Sequence, residues 1–519
     1  MSAHDDIESI AEKGHHATST TPTWSDASSN TQAPRPSPRQ NTLSAKFSRF
    51  NTRLEGLSGF EVRGISRVPL EERHKGSRGH DLQIFLLWLS ANLSANNLGV
   101  GMLGPLAYGL GFKDCIMCIL VGTFIGSLST GYVATFGPLS GNRTMVVSRF
   151  FMGYWPSKIP ALLNLVLMAG YAVLDAIIGG QIISAVSGGS VSIVVGIIIV
   201  SILAWLIAVF GMALFQRYER YSWLPQILAL MVLIGSAAPN FDTETPSTAS
   251  GARLAAARLT FLSTCSYIPN SWTAAAADFY VYYPEKTNRI KVFWLTVAGL
   301  FVSFVTVFTI GMGLASGVAS NPAWAAANDI SSGALLVEGL APLKGFGKFI
   351  GVVIALGVIG NSTPSTYSAA LTCQALGRYG QAVPRWAWAC VLVVVELVLG
   401  LAGRDHLFLI YQNFTSIMGY WIEFMCSIFL LEEFIFRRRK GQCDWSRWND
   451  RSYLPVGWAA LASFLLGWLG AVLGMNQVWF VGPISTLCND ADVGMWLGTL
   501  FTIVTFIPLR HLELKMIGR

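Results

Sequence analysis

The chain has 519 residues, of which 52% are hydrophobic and only 13% charged, against roughly 25% charged in soluble domains. Residues 1–81 hold 21 of the 65 charged side chains, leaving 44 for the other 438 residues. That composition excludes a soluble multidomain enzyme, a disordered scaffold and a nucleic-acid binder, and leaves the net charge of +7 to be explained.

Residues 1–80 form a tail of their own. Thr18 to Arg49 is rich in Ser, Thr, Pro, Asn and Gln and has no apolar periodicity. Such a stretch buries too little to offset its ordering entropy, so a largely disordered cytoplasmic segment is expected. Ser37 and Ser48, beside Pro38 and Arg49, are candidate phosphorylation positions in an otherwise solvated tail. No basic n-region followed by an apolar h-region opens the chain, so no cleavable signal peptide is expected.

Twelve apolar runs follow, near 84–106, 115–136, 159–185, 191–215, 222–238, 259–282, 292–316, 348–374, 386–402, 406–435, 454–475 and 492–509. Each approaches the length that crosses a ~30 Å hydrocarbon core as a helix. The expected fold is therefore an all-α membrane protein of 12 transmembrane helices. Residues 81–435 make a transport core of ten helices, and 436–519 add helices 11 and 12 and a short cytoplasmic C-terminus.

Loop charge sets the orientation. With the tail in the cytosol, only Lys113, Arg253, Arg258, Lys344, Lys348 and Arg404 fall on the far side. Of the 36 basic residues, 11 lie in the tail, so 19 fall in connections on the near side. This asymmetry places both termini in the cytosol, and a miscount by one helix would have scrambled it.

Two spans look interrupted. The first carries Asn92, Asn96, Asn97, Gly99, Gly101 and Gly104 in mid-membrane, and the sixth carries Pro269 and Asn270 near its middle. Freed backbone at that depth is tolerated only where it lines a cavity or meets other protein. Interruptions five spans apart are the signature of a five-plus-five inverted repeat with its site between discontinuous helices 1 and 6. Close helix packing through small residues is the competing explanation.

Asp175 sits deep in the third span, where an ionised carboxylate must face a cavity, find a partner or carry a proton. Asp278, Glu396 and Glu423 are lesser candidates, Asp278 as a gate or structural pair. Trp272, beside the sixth-span interruption, offers a flat face to an aromatic ligand or packs as an anchor. In the eighth span, Gly360 to Ser368 is so polar that irregular backbone lining a cavity is expected, with Asn361 and Ser365 as hydrogen-bonding groups.

Catalysis and metal chemistry find little support. The Cys115–Cys118 pair has no second ligand pair nearby, and no HExxH, Gly-x-Ser-x-Gly or phosphate loop occurs. Asn92, Asn361 and Asn413 open formal glycosylation triplets but lie within spans. No enzyme activity, metal or cofactor is expected.

Scattered short motifs add a resemblance. They are Gly64–Pro69, Trp88–Asn92, Gly104–Pro105, Thr135–Pro138, Ser148–Phe150, Ile159–Asn164, Ala276–Asp278 with Tyr282, Gly419–Trp421 and Phe434–Arg437. Together they make the chain resemble the fungal purine–cytosine permeases of the nucleobase–cation-symport family, from about Gly64 to Arg439. The resemblance implies a LeuT-type fold, alternating access, and proton-coupled import of a purine base or cytosine at the plasma membrane. It assigns the base site to an aromatic and an Asn on span 3, a Trp on span 6 and an Asn after Pro on span 8. Trp272 matches. Tyr171 stands for the usual Trp, Asp175 for the usual Asn, and Ser365, after Pro364, for the other Asn. A carboxylate only accepts where an amide also donates, so pyridoxine, carried by related permeases, is a live alternative.

The expected site stacks a planar heteroaromatic between Trp272 and Tyr171. Asp175, Ser365 and Asn361 bond its edge, and backbone freed near Asn96, Asn97 and Pro269 completes it. Asp175 doubles as the proton-coupling group. The expected partners are the substrate and the bilayer. A permease-like receptor that binds nutrient without transporting it is the alternative of another class.

Overall fold

In a computed structural model, which describes residues 64–73, 80–210, 212–437 and 443–519, regular structure is helical but for one small hairpin, Asn476–Gln477 with Phe480–Val481. Most of the tail, with Ser37 and Ser48, and the cluster Arg438 to Lys440 lie outside the described residues. The main helices are α1 (His80–Asn92), α2 (Ala95–Tyr108), α3 (Phe112–Ala134), α4 (Thr144–Met152), α5 (Lys158–Val186), α6 (Ile193–Phe210) and α7 (Met212–Ala237). They continue with α8 (Gly251–Ser271), α9 (Arg289–Ser316), α10 (Lys344–Ala375), α11 (Arg385–Gly403), α12 (Leu407–Leu431), α13 (Trp458–Gly474) and α14 (Gly494–Ile517).

Among the described residues, eight helical segments are long and apolar enough to cross a membrane, and Ile193–Val209 and Trp458–Gly474 are shorter apolar helices. The fold is an all-α multi-pass membrane fold. Its outer faces are apolar. On α11, Val391, Val394, Val395 and Val398 are exposed at helical spacing while Glu396 points inward. That pattern puts lipid outside and polarity inside.

The helices pack as two groups. In one, α9 lies against α1, α2 and α3, and α8 lies against α3. In the other, α5 lies along α10, and α6 and α11 pack on both. Helix α12 bridges α8 and α14, and α13 pairs with α14. Small residues let α2 and α9 approach. A Cβ on Gly101 would overlap the Phe308 carbonyl, and one on Gly311 the Leu98 carbonyl. Gly101→Ala is expected to force the two helices apart and cost about 1–3 kcal/mol, read as a lower melting temperature of the detergent-purified protein. An unchanged midpoint would mean that the contact is not tight.

The two suspect spans depart from regular helix within a few residues of Asn96 and Pro269. Helix α1 stops at Asn92, Ser94 is extended (φ −131°, ψ 145°), and α2 restarts at Ala95. The orphaned carbonyls of such an end need donors, and side chains supply them. Asn97 Nδ2 donates to Asn92 O at 3.0 Å and Asn361 Nδ2 to Ala91 O, while Tyr411 Oη donates to Asn96 O in the first turn of α2 at 2.5 Å. Helix α8 keeps Pro269 inside it and gives way only after Ser271, to 3-10 turns over Trp272–Ala274 and Ala276–Phe279. Thr130 Oγ1 takes the Pro269 carbonyl at 2.6 Å, which diverts an acceptor from the helix's last turn.

The eighth span corrects the expectation of irregular backbone. Helix α10 runs unbroken from Lys344 to Ala375 with Pro364 inside. Its hydroxyls fold back on their own helix: Thr363 Oγ1 donates to Ile359 O at 2.9 Å and Thr366 Oγ1 to Ser362 O at 3.2 Å. Helical spacing then gathers Asn361, Ser365, Ser368 and Thr372 on one face.

Candidate functional site

A narrow cavity of about 10 Å³, room for roughly one water, lies at the first-span break, between α5, α8 and α10. Six of the seven nominated residues line it: Trp272, Tyr171, Asn361, Ser365, Asn96 and Asn97. Asn92, Met168, Ile268 and Ser271 complete the wall. The sequence placed Asn92 in the interrupted first span without nominating it for the site, although its place four residues before Asn96 was a usable signal.

The polar groups of the wall hold one another. Trp272 Nε1 donates to Asn92 Oδ1 at 2.8 Å, and Asn96 Nδ2 to Asn361 Oδ1 at 3.1 Å. Trp272 meets Trp88 and Phe279 edge to face, with centroids at 5.6 and 6.1 Å. Tyr171 stands at 81° to Phe414, and its hydroxyl has no partner among the described residues. The result is an aromatic slot with a rim of amides, each able to donate and accept.

Asp175 is placed apart. It lies one helical turn past Tyr171, is fully buried, and is not in the cavity wall. Neither carboxyl oxygen has a hydrogen-bond partner among the described residues, and Oε1 of buried Glu396 has none either. Glu396, on α11, is buried as well. A buried charge without a counter-charge is costly, so each carboxyl stands out among the apolar residues of its span.

Below the cavity the polar face of α10 continues into a junction. Asp278 accepts from Thr144 N at 2.7 Å and Ser368 Oγ at 3.0 Å. Arg143 Nη1 donates to the Asp278 carbonyl at 2.8 Å, and Arg143 Nη2 to Tyr367 Oη at 3.1 Å. One carboxylate thus ties the end of the sixth span to α4 and α10. Asn164 Nδ2 donates to Thr372 Oγ1 at 2.9 Å farther along the same face.

A second buried carboxylate, passed over in the sequence, ties the start of α14 to α12 and to the hairpin. Asp492, just before α14, accepts from Tyr420 Oη at 2.5 Å, Gln477 Nε2 at 3.0 Å and Gly494 N at 3.0 Å. Its own N–H donates to Thr260 Oγ1 on α8 at 3.0 Å. Burial raises its pKa to about 6 despite these donors. A raised carboxylate favours the folded state most when protonated. Its contribution is full below the ordinary value near ~4 and is lost as pH rises through about 6. Thermal unfolding of the native chain should therefore gain about 1–3 kcal/mol relative to Asp492→Asn between neutral pH and pH ~4. Parallel pH profiles for the two proteins would contradict this.

Known proteins share this architecture. The model of the family described as permease for cytosine/purines, uracil, thiamine, allantoin matches residues 67–498. The purine-cytosine permease fcyB of Emericella nidulans is 33% identical over 469 residues, covering 90% of this chain and 91% of that one. The vitamin B6 transporter TPN1 of Saccharomyces cerevisiae is 30% identical over 514 residues, covering 89% of each. Among solved structures, Mhp1, a nucleobase-cation-symport-1 family transporter in a closed conformation with bromovinylhydantoin bound, superposes with a TM-score of 0.64 at 14% identity. It covers 88% of this chain and 97% of that one, and carries the fold alone. A family match over 432 residues, on an all-helical membrane fold with no catalytic motif, leaves one assignment: the chain belongs to the family of permeases for cytosine/purines, uracil, thiamine and allantoin, and is a membrane transporter, not an enzyme.

Proposed function

We propose that the chain is a proton-coupled importer of a neutral nitrogen heteroaromatic, a purine base or cytosine first, working by alternating access at the plasma membrane. The observation that carries this is the amide-rimmed aromatic slot formed by Trp272, Tyr171, Asn92, Asn96, Asn97 and Asn361. Base edges alternate donors and acceptors, and so do amides. Because Asp175 is absent from the wall, the slot carries no fixed negative charge that would demand a cationic ligand.

Twelve crossings with both ends in the cytosol follow from the 19-to-6 charge asymmetry. A five-plus-five repeat is supported by the reciprocal packing of α2 on α9 and α8 on α3, and of α6 and α11 on both α5 and α10. Asp175 is the proton carrier in this reading.

Pyridoxine is the second reading. It is favoured by the small hydroxyl of Ser365 where related sites carry an amide, and by similarity to a vitamin B6 transporter. The test is competition among cytosine, adenine, hypoxanthine, uracil and pyridoxine for uptake into permease-deficient cells expressing the chain. Accumulation blocked by cytosine and purines supports the first reading, and blockage by pyridoxine alone the second. Ligand bound without accumulation would replace both with a receptor.

A further inference from the structure

Three cations crowd one aromatic ring where α5 begins and α10 ends. The guanidinium carbons of Arg451 and Arg149 lie 4.5 and 5.1 Å from the Tyr154 ring centroid, and Lys158 Nζ lies 4.8 Å from it. Arg451 also sits 5.0 Å from the Trp155 ring, and Arg149 5.3 Å from that of Trp448. Attraction to ring faces does not neutralise three like charges.

Their other partners are neutral. Lys158 Nζ and Arg149 Nη2 both donate to the Ala375 carbonyl at the end of α10, and Arg149 Nη1 donates to Asn449 Oδ1 at 3.2 Å. Among the described residues no carboxylate pairs with any of the three. The adjacent Asp450 is taken by Arg447 at 2.6 Å and Ser452 at 2.5 Å. Arg149 is 1% exposed, and its Nε has no partner. Burial holds its pKa down at about 10.

The cluster also has an open side. Arg451 is exposed, and Trp155 is 65% exposed beside the first turn of a membrane-spanning helix. Exposed aromatics next to basic side chains at a span end mark headgroup depth.

We propose that Arg149, Lys158 and Arg451 form a binding site for the phosphate of an anionic phospholipid headgroup in the adjoining leaflet. Arg451 and Lys158 reach it from the open side, and Arg149 supplies charge from beneath. The bound phosphate offsets the repulsion gathered at Ala375. It thereby steadies the junction of α5 and α10, the helices that carry Tyr171 and Asn361. The site does not depend on which substrate is carried.

The test uses the purified full chain in neutral detergent, with lipid retention followed by native mass spectrometry. Short-chain phosphatidylinositol is compared with phosphatidylcholine and with inorganic phosphate. Phosphatidylinositol should be retained over phosphatidylcholine, and inorganic phosphate should compete only weakly. Arg451→Gln and Lys158→Gln should each weaken retention about fivefold, and Arg451→Lys should keep most of it. Equal retention of both lipids, or an unchanged double variant, would overturn the proposal. So would competition by inorganic phosphate at matching affinity, which would make this a site for free anions. Retention that appears only after phosphatase treatment would also overturn it, by giving the site to a phosphorylated residue of the chain.

Discussion

Trp272→Ala is expected to cost substrate affinity roughly 10²-fold, the size of effect that follows from losing about 3 kcal/mol of aromatic contact. Three losses add up. The indole face leaves the slot, Asn92 Oδ1 loses its 2.8 Å donor, and Trp88 and Phe279 lose an edge-to-face neighbour. Trp272→Phe separates these terms. It keeps a face and loses only the N–H, so about tenfold weaker uptake is expected, the worth of one buried hydrogen bond of about 1.4 kcal/mol. Both are measured as the concentration dependence of uptake, with surface expression followed by a fluorescent tag. Native-like affinity in Trp272→Ala would remove the residue from the site.

Asp175→Asn is expected to act differently: it should abolish the stimulation of uptake by external acid while leaving substrate affinity within a few-fold. The separation follows from placement, because Asp175 lies behind the wall and not in it. An amide of the same shape cannot load and release a proton at physiological pH. Stability should change by less than about 1 kcal/mol, since one unpartnered polar group replaces another of the same shape. Asp175→Ala tests the role more severely. Should uptake of every base and vitamer keep its full pH dependence in both variants, the proton is carried elsewhere.

Much of the architecture was legible because membrane helices announce themselves by unbroken apolar length. Spans such as 159–185 and 292–316 fall within a residue or a few of Lys158–Val186 and Arg289–Ser316. The interrupted spans were visible through composition to within a few residues of Asn96 and Pro269, but not the last helical residue of each. A break settles where side chains from other helices reach the freed carbonyls, and Thr130 and Asn361 are remote in sequence from the groups they satisfy. The eighth span misled for a local reason. Its Ser and Thr run mimics a loop, yet those hydroxyls bond their own helix. Asp492 escaped notice because a carboxylate at a loop end looks solvated, and only the fold buries it beneath Tyr420 and Gln477.

The polar face of α10 has a mechanical consequence. Asn361 touches the cavity wall and Ser368 touches Asp278. Seven residues of helix separate them, about 10 Å of rise, and Pro364 lies between. A proline there removes one helix hydrogen bond and makes its turn the place where the helix bends. A bend at Pro364 would let the Asn96 contact open while Ser368 stays on Asp278, so cavity and junction could be reset one after the other. The order of the two events would then be set by the position of one residue.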